Sequence, residues 1–438
     1  MKRNVLYMAF ATFWTIFALI STVNADELTL KSCLEKALAG NPLVTEAGLG
    51  VKAGEAAIAG SRGKQFPRLA LDLAYSRRQD PVPYIPAQSS TIPAHFSNEF
   101  ASWTGLLTLP IYQGGQLSAG VALAEVRRDI ADLALTQTKN DLIANTVNTF
   151  NKLLQLQHLR DASRASIAAL EEQIKNTQLL LNLGRAAKID LLKVNVQLAN
   201  EQQRLLTLDE AIATTGATLH YLMGDAATEN EPLLLWSPPV VDITAAAVAG
   251  PGNERPWSNR PEYRSAFKAV EEADISQKIS QGKVLPSVNA ISGYTDQYGE
   301  DPWHNEGNWF LGLQVSMPLF DRALYADLTR EKILQDKAAA HLKAVENQLR
   351  LEVGNAAASL RESGGRVATA ERVIEQAHES FRIEQQKYTA GAGVMSDLLL
   401  AQAADMTAEA NLSQARFDRA AALVAWRRAT GMLEEYLK

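Results

Sequence analysis

The chain has 438 residues, with 43 Lys or Arg against 49 Asp or Glu, a formal charge of −6. At 47% hydrophobic and 21% charged residues it is not intrinsically disordered. Like charges never form long blocks, which argues against nucleic acid as a partner; a single cysteine excludes a disulfide framework or thiolate cluster within one chain, and six scattered histidines leave metal chemistry little to use.

The chain opens on Met1-Lys2-Arg3-Asn4, followed by an apolar run of 16 residues, Val5 to Ile20, and by the small residues Val23 and Ala25. This is the layout of a secretory signal peptide covering residues 1–25, since 16 residues are short for a membrane span of about 20. Its removal takes Lys2 and Arg3 and leaves a charge of −8. Leu30-Lys-Ser-Cys33 superficially resembles a lipoprotein cleavage box. Lys31 is charged, however, and Asp26 and Glu27 separate the box from the apolar run, so Cys33 is expected as a free, half-buried helix residue.

All prolines except Pro42 fall in four short zones, at 67–110, 232–261, 286 and 302–318. Between Pro110 and Pro232 lie 121 residues without one, and 120 follow Pro318, both rich in strong helix formers. Punctuation recurs at a nearly constant offset. Asn41-Pro42 and Arg260-Pro261 are 219 residues apart, as are Pro67 and Pro286; Pro110 and Pro318 are 208 apart. Gly184 and Gly391, each followed six residues later by an aspartate, Asp190 and Asp397, are 207 apart, as are Gly224 and Gly431. The pattern predicts two structural repeats, 26–223 and 259–438, joined by a linker at 224–258, with about 11 extra residues in the first repeat, assigned to a loop over Asp80–Pro93.

Each repeat reads helix, strand, strand, long helix, turn, helix. The strands are placed at 69–76, 100–109, 287–295 and 308–317. Leu69, Leu71, Leu73 and Tyr75 alternate with Ala70, Asp72, Ala74 and Ser76, and Trp309, Leu311, Leu313, Val315 and Met317 with mostly polar residues. Eight to ten residues suit either a tilted membrane strand or a sheet on a soluble core. Tyr75, Trp103, Tyr294 and Trp309 sit where an interfacial aromatic girdle could form. The runs Gly115–Asn182 and Ala323–Ala390, at about 1.5 Å per residue, predict helices of roughly 100 Å, too long for a compact domain. Their apolar spacing, with uncharged polar residues on other faces, suits packing beside neighbours around water or in an ordinary long coiled coil.

This layout resembles the outer-membrane efflux protein family, the TolC-like channel-tunnels. The resemblance is carried by Leu28-Thr-Leu-Lys-Ser-Cys-Leu-Glu-Lys-Ala-Leu-Ala-Gly-Asn-Pro42, Gln65-Phe-Pro-Arg68, Leu109-Pro-Ile-Tyr-Gln-Gly-Gly115, Met317-Pro-Leu-Phe-Asp321 and the paired Gly-x5-Asp turns, and it extends over the whole chain beyond residue 25. It implies a mainly α fold with a small membrane β-barrel: a homotrimer whose four strands per protomer make a 12-stranded outer-membrane barrel over a long periplasmic α-helical barrel. The implied partners are a periplasmic adaptor, an inner-membrane transporter and outer-membrane lipid, and the implied function is passive exit for a tripartite efflux pump or type I secretion system. Four strands with open edges in lipid must close by oligomerising, which meets the same expectation from physics. At the periplasmic entrance the match places Asp397, its repeat mate Asp190, and Tyr388 at the position of a latching tyrosine. Two positions depart from the family pattern: Leu400 stands where a second acidic ring is expected, and Gly393 where a latching arginine is. Both aspartates also fit the first turn of a helix, where a carboxylate meets free N–H groups. No catalytic grouping or cofactor motif is present, so neither an enzyme nor a cofactor is expected. The alternative function is a periplasmic coiled-coil adaptor or spacer without a pore.

Overall fold

The computed structural model describes residues 28–85, 87, 94–225, 235–236, 255–300 and 305–437. The expected signal peptide, most of the linker and the tip of the 80–98 connection lie outside the described residues. In chain order the elements are β1 (Leu28–Thr29), α1 (Leu30–Gly40), α2 (Pro42–Gly63), β2 (Arg68–Ile85), β3 (His95–Gln113), α3 (Gln116–Asn182), α4 (Lys188–Met223), β4 (Leu235–Trp236), α5 (Pro261–Gly282), β5 (Ser287–Tyr298), β6 (Asn305–Ser316), α6 (Arg322–Thr389), α7 (Met395–Thr430) and a short 3-10 helix, Leu433–Leu437. The helix–strand–strand–long helix–helix order occurs twice. α3 has 67 residues and α6 has 68, each about 100 Å long. No described helix is apolar enough over its length to cross a membrane.

The four long strands form one antiparallel sheet in the order β2-β3-β5-β6. They outrun the expected segments. Asp80–Ile85, expected in a loop, continues β2, because its backbone still pairs with β3 through Val82 opposite Ser97 and Ile85 opposite His95. Register shifts on either side of Val82–Pro83 accommodate the prolines, and β2 is an edge strand, where a missing N–H costs no ladder bond. At the opposite ends β3 gives way to α3 through Gly114 and Gly115. Gly114 has φ +59°, and a Cβ there would lie 2.3 Å from the carbonyl oxygen of Gly282, so this crossing admits no side chain.

The core lies at mid-height on α3. Ile143, Val147, Phe150 and Leu153 are fully buried against Cys33 and Leu34 of α1, Leu219 and Met223 of α4, Val424 of α7 and Leu433. α1 is therefore enclosed by α3, α4 and the 3-10 helix, in one cluster with Val424 of α7. Cys33 is not half-buried as expected but 0% exposed, and burial pushes its thiol up to about 11.

Two equivalent junctions flank this core, built with different chemistry. Asn41 caps α2, its Oδ1 accepting from the Leu43 N–H at 2.9 Å, while its Nδ2 donates to the Leu222 carbonyl at 2.9 Å. At the matching position in the second repeat, Arg260 is 4% exposed and pairs with Glu262 at 2.7 Å and Glu352 at 2.6 Å, tying the start of α5 to α6. Burial works against the Glu352 carboxylate, but the hydrogen bonds from Arg260 and Gln348 prevail and hold it below the usual carboxylate range. A depressed pKa stabilises the fold above the ordinary value of about 4.3, and this stabilisation is lost as pH falls through the folded-state value. The melting temperature of the detergent-solubilised protein should therefore fall on acidification below about pH 4 more steeply for the native chain than for Glu352→Gln. Arg260→Met, which strands two carboxylates, should cost about 1–3 kcal/mol at neutral pH, read by the same melt.

Candidate channel wall and periplasmic entrance

Register assigns every strand residue to one of two faces. Across the sheet, Leu73, Trp103, Asp296 and Gly307 form one row; Leu71, Gly105, Tyr294 and Trp309 the next; Leu69, Leu107, Ser292 and Leu311 the next. Leu109, Ala290 and Leu313 continue this face. Apart from Ser292 and the buried Asp296 it is apolar and largely uncovered, with Trp309 72% exposed. The opposite face carries Asp72, Ser102, Thr104, Thr295, Gln297, Asn308 and Gln314, with the Thr104 and Thr295 hydroxyls 3.1 Å apart. Gln113 also reaches across it, donating to Asn289 at 2.7 Å.

The four aromatics singled out from sequence share the apolar face. Trp103 and Tyr294 are in contact, with ring centroids 5.2 Å apart, and Tyr294 lies over Gly307, where a Cβ would meet its ring and hydroxyl. Tyr75 and Trp309 stand exposed on the edge strands β2 and β6. Toward the helix ends of the strands a second set of aromatics, Phe66, Tyr112 and Phe320, is exposed. This second band was not read from the sequence, because each of its members sits beside a proline or glycine turn rather than inside an alternating run. Between the bands the face is aliphatic.

At the far end of the molecule the helix pairs reverse at two turns of the same design. Gly184 and Gly391 adopt φ +69° and +76°. The next residue closes each helix, the Arg185 N–H donating to the Leu180 carbonyl at 2.8 Å and the Ala392 N–H to Lys387 at 2.9 Å. The aspartates that follow differ. Asp190 accepts from the Ala187 N–H at 3.3 Å and caps α4. Asp397 lies in the first turn of α7, exposed, with no side-chain bond to the helix start. Tyr388 is half-buried against a cluster of Leu170, Val194, Met395 and Leu398 that joins α3, α4 and α7 behind the turns. Gly393 packs on the end of α6: its N–H donates to Lys387 at 3.0 Å, and a Cβ there would lie 2.9 Å from the Tyr388 nitrogen. A side chain at 393 would therefore require the end of α6 to shift. Leu400 is exposed.

Above the turns a polar relay crosses α3, α7 and α6. Lys152 donates to Gln155 at 2.9 Å, Gln155 to Gln414 at 2.9 Å, Gln414 to Asp418 at 2.7 Å, and Asp418 pairs with Arg366 at 2.9 Å. Sequence reading missed it, since its members carry no shared motif and meet only through packing of α3 on α7. Among the described residues no cluster of His, Cys, Asp or Glu could hold a metal ion.

Because Asp190 caps and Asp397 does not, their alanine variants should differ in stability. Asp190→Ala should cost about 1 kcal/mol locally, seen as faster amide exchange over residues 187–193, whereas Asp397→Ala should leave exchange over 394–400 unchanged.

The profile of the family described as outer membrane efflux protein matches residues 33–225 and 257–432. The chain is 24% identical over 325 residues to nodulation protein T of Rhizobium leguminosarum bv. trifolii, covering 72% of this chain and 66% of that protein's length. It is 23% identical over 406 residues to outer membrane protein TolC of Vibrio cholerae, covering 86% and 85%. Among solved structures, the Campylobacter jejuni CmeC outer membrane channel superposes with a TM-score of 0.79 at 14% identity, covering 93% of this chain and 87% of that one. The outer membrane protein VceC of Vibrio cholerae gives 0.75 at 18% identity, covering 92% and 96%. With a two-faced four-stranded sheet set on helices of about 100 Å, and a family match that spans both repeats, the chain belongs to the outer membrane efflux protein family and has the fold of its TolC-like channels.

Proposed function

We propose that three copies of the chain close into a 12-stranded barrel continued by a helical tunnel, giving passive exit across the outer membrane and periplasm for a tripartite efflux pump or a type I secretion system. A periplasmic adaptor and an inner-membrane transporter complete the pathway. The observation that carries this reading is the sheet itself. One face is apolar between two aromatic bands, the other is lined by hydroxyls and amides, and β2 and β6 each have a single neighbour. In lipid, such edges must be closed. The two structural repeats, 26–223 and 259–438 about a 224–258 linker, then supply equivalent halves of the wall. Tyr75, Trp103, Tyr294 and Trp309 anchor the outer interface, and the Phe66, Tyr112 and Phe320 band the inner one.

The helix turns then lie at the periplasmic entrance. Symmetry gathers the uncapped Asp397 carboxylates around the axis, where like charges attract cations and repel anions. Tyr388 holds the inner helix pair against the outer one through the cluster behind the turns. Asp190, engaged in its cap, contributes less.

Reversal potentials of the purified protein in planar bilayers under a salt gradient test the assignment. Asp397→Ala should lower cation selectivity while native mass spectrometry still finds the trimer, and Asp190→Ala should change selectivity less. A shift with Asp190→Ala alone reverses the two roles, and a monomer in mild detergent removes the channel reading. An epitope inserted at Ser90, between β2 and β3, should be reachable on intact cells; detection only after permeabilisation overturns the topology.

A further inference from the structure

Each repeat has a groove between its short helix and the long helix that follows, and the two grooves have diverged. Carried through the offsets of 219 for the short helix and 207 for the long one, Glu55 and Arg128 correspond to Asp274 and Gln335, and Arg62 and Glu125 to Gln281 and Lys332. The second groove is bridged directly: Gln335 of α6 donates to Asp274 of α5 at 3.2 Å, Lys278 pairs with the same carboxylate at 2.7 Å, and α5 buries Ile275, Ser280 and Gly282. In the first repeat α2 buries none of its residues, and a cavity of about 790 Å³ stays open between α2 and α3.

The lining of that cavity is amphipathic and electrically balanced. Arg62 donates to Glu125 at 2.8 Å across it, and both side chains stay well exposed, at 60% and 46%. Arg128 and Glu55 complete two cations against two carboxylates, and Glu55 makes no ion pair among the described residues. A fifth charge, Asp129, is answered by Lys268 of α5 at 3.2 Å. Ile58 supplies an apolar patch, and Phe66, 67% exposed, stands at the end nearest the sheet. Glu125 also lies on the stripe of α3 that, stepping by fours and threes, reaches Ile143 and Val147, the residues packed against Leu34 of α1. The cavity thus opens on the side of α3 where α1 packs, which in a channel is the side away from the bore.

We propose that this cavity seats the headgroup of a zwitterionic phospholipid carrying a primary ammonium, drawn from the leaflet that meets Phe66. Arg62 and Arg128 hold the phosphate, the match of guanidinium to phosphate being bidentate and charge-assisted. Glu55 and Glu125 accept from the ammonium, which offers three donors and no acceptor. The two-against-two balance of charge selects a zwitterion: an anionic headgroup leaves both carboxylates unanswered, and a quaternary ammonium cannot donate to them. Depth agrees with this, since Arg62 precedes Phe66 by about one helical turn, about 6 Å, and the polar layer on each side of a bilayer is roughly 5–8 Å thick. Ile58 lies against the glycerol and Phe66 against the acyl chains. The inference rests on the channel reading in that Phe66 then stands at the inner lipid interface; a lipid held between α2 and α3 goes beyond it.

The test uses the full chain, purified and stripped of lipid in mild detergent, then titrated with phosphatidylethanolamine, phosphatidylcholine or phosphatidylglycerol of the same acyl chains while native mass spectrometry counts lipids on each oligomer. Phosphatidylethanolamine should be retained several-fold more than either of the others. Glu55→Gln with Glu125→Gln should abolish its advantage over phosphatidylcholine, whereas Arg62→Gln should weaken both of these lipids several-fold, because both present the phosphate. The same spectra show whether each variant still assembles. Equal retention of the three lipids by an intact oligomer, a preference for phosphatidylglycerol, or an advantage of phosphatidylethanolamine that survives the double Gln substitution overturns the lipid site and leaves the channel reading standing. A monomer for the unsubstituted chain overturns both.

Discussion

A protein in the outer membrane cannot leave backbone hydrogen-bonding groups facing lipid, and this chain has too few strands to satisfy them alone. Its sheet ends on β2 and β6, each with one neighbour. The same incompleteness runs down the molecule: α2 at one flank and α6 at the other lack a partner that their repeat mates possess. Closure in the lipid thus imposes closure on the helices below, because each strand pair is continuous with the helices that follow it.

Duplication makes that closure inexpensive to encode, and divergence between the repeats then separates folding from assembly. Where the halves meet within one chain the contacts are polar and specific, Arg127–Glu272 and Asp129–Lys268 among them. Ion pairs at exposed sites add little energy but fix register, and apolar faces add energy without fixing it. The Asn41 and Arg260 junctions show the same divergence at mid-height, an amide in one half and a buried guanidinium in the other.

Much of this was legible in the residues. Proline spacing located both long helices to within a residue or two, and the Gly-x5-Asp repeat located both turns. The strand ends were not legible, since Pro81 and Pro83 look like loop signals, whereas register shifts on either side of Val82–Pro83 let the backbone keep pairing with β3. Cys33 was read as half-buried because its helix alternates, but α1 is enclosed on several sides by α3, α4 and the 3-10 helix, a fact of packing that periodicity cannot carry. The different duties of Asp190 and Asp397 were likewise invisible in two matching motifs. They follow from whether the side chain turns back to accept the Ala187 N–H.

The relay from Lys152 to Arg366 fixes α7 to its neighbours at Gln414, and below it α7 runs 17 residues to Asp397, about 26 Å. Between these points the inner helix touches the outer pair mainly through thioethers and aliphatic groups, such as Ser166 on Met406 and the Met395–Leu398 cluster, which slide more readily than paired amides. With the relay as pivot, a tilt of about 10° displaces Asp397 by roughly 4–5 Å, so a rotation that is small at mid-height is amplified at the helix turn.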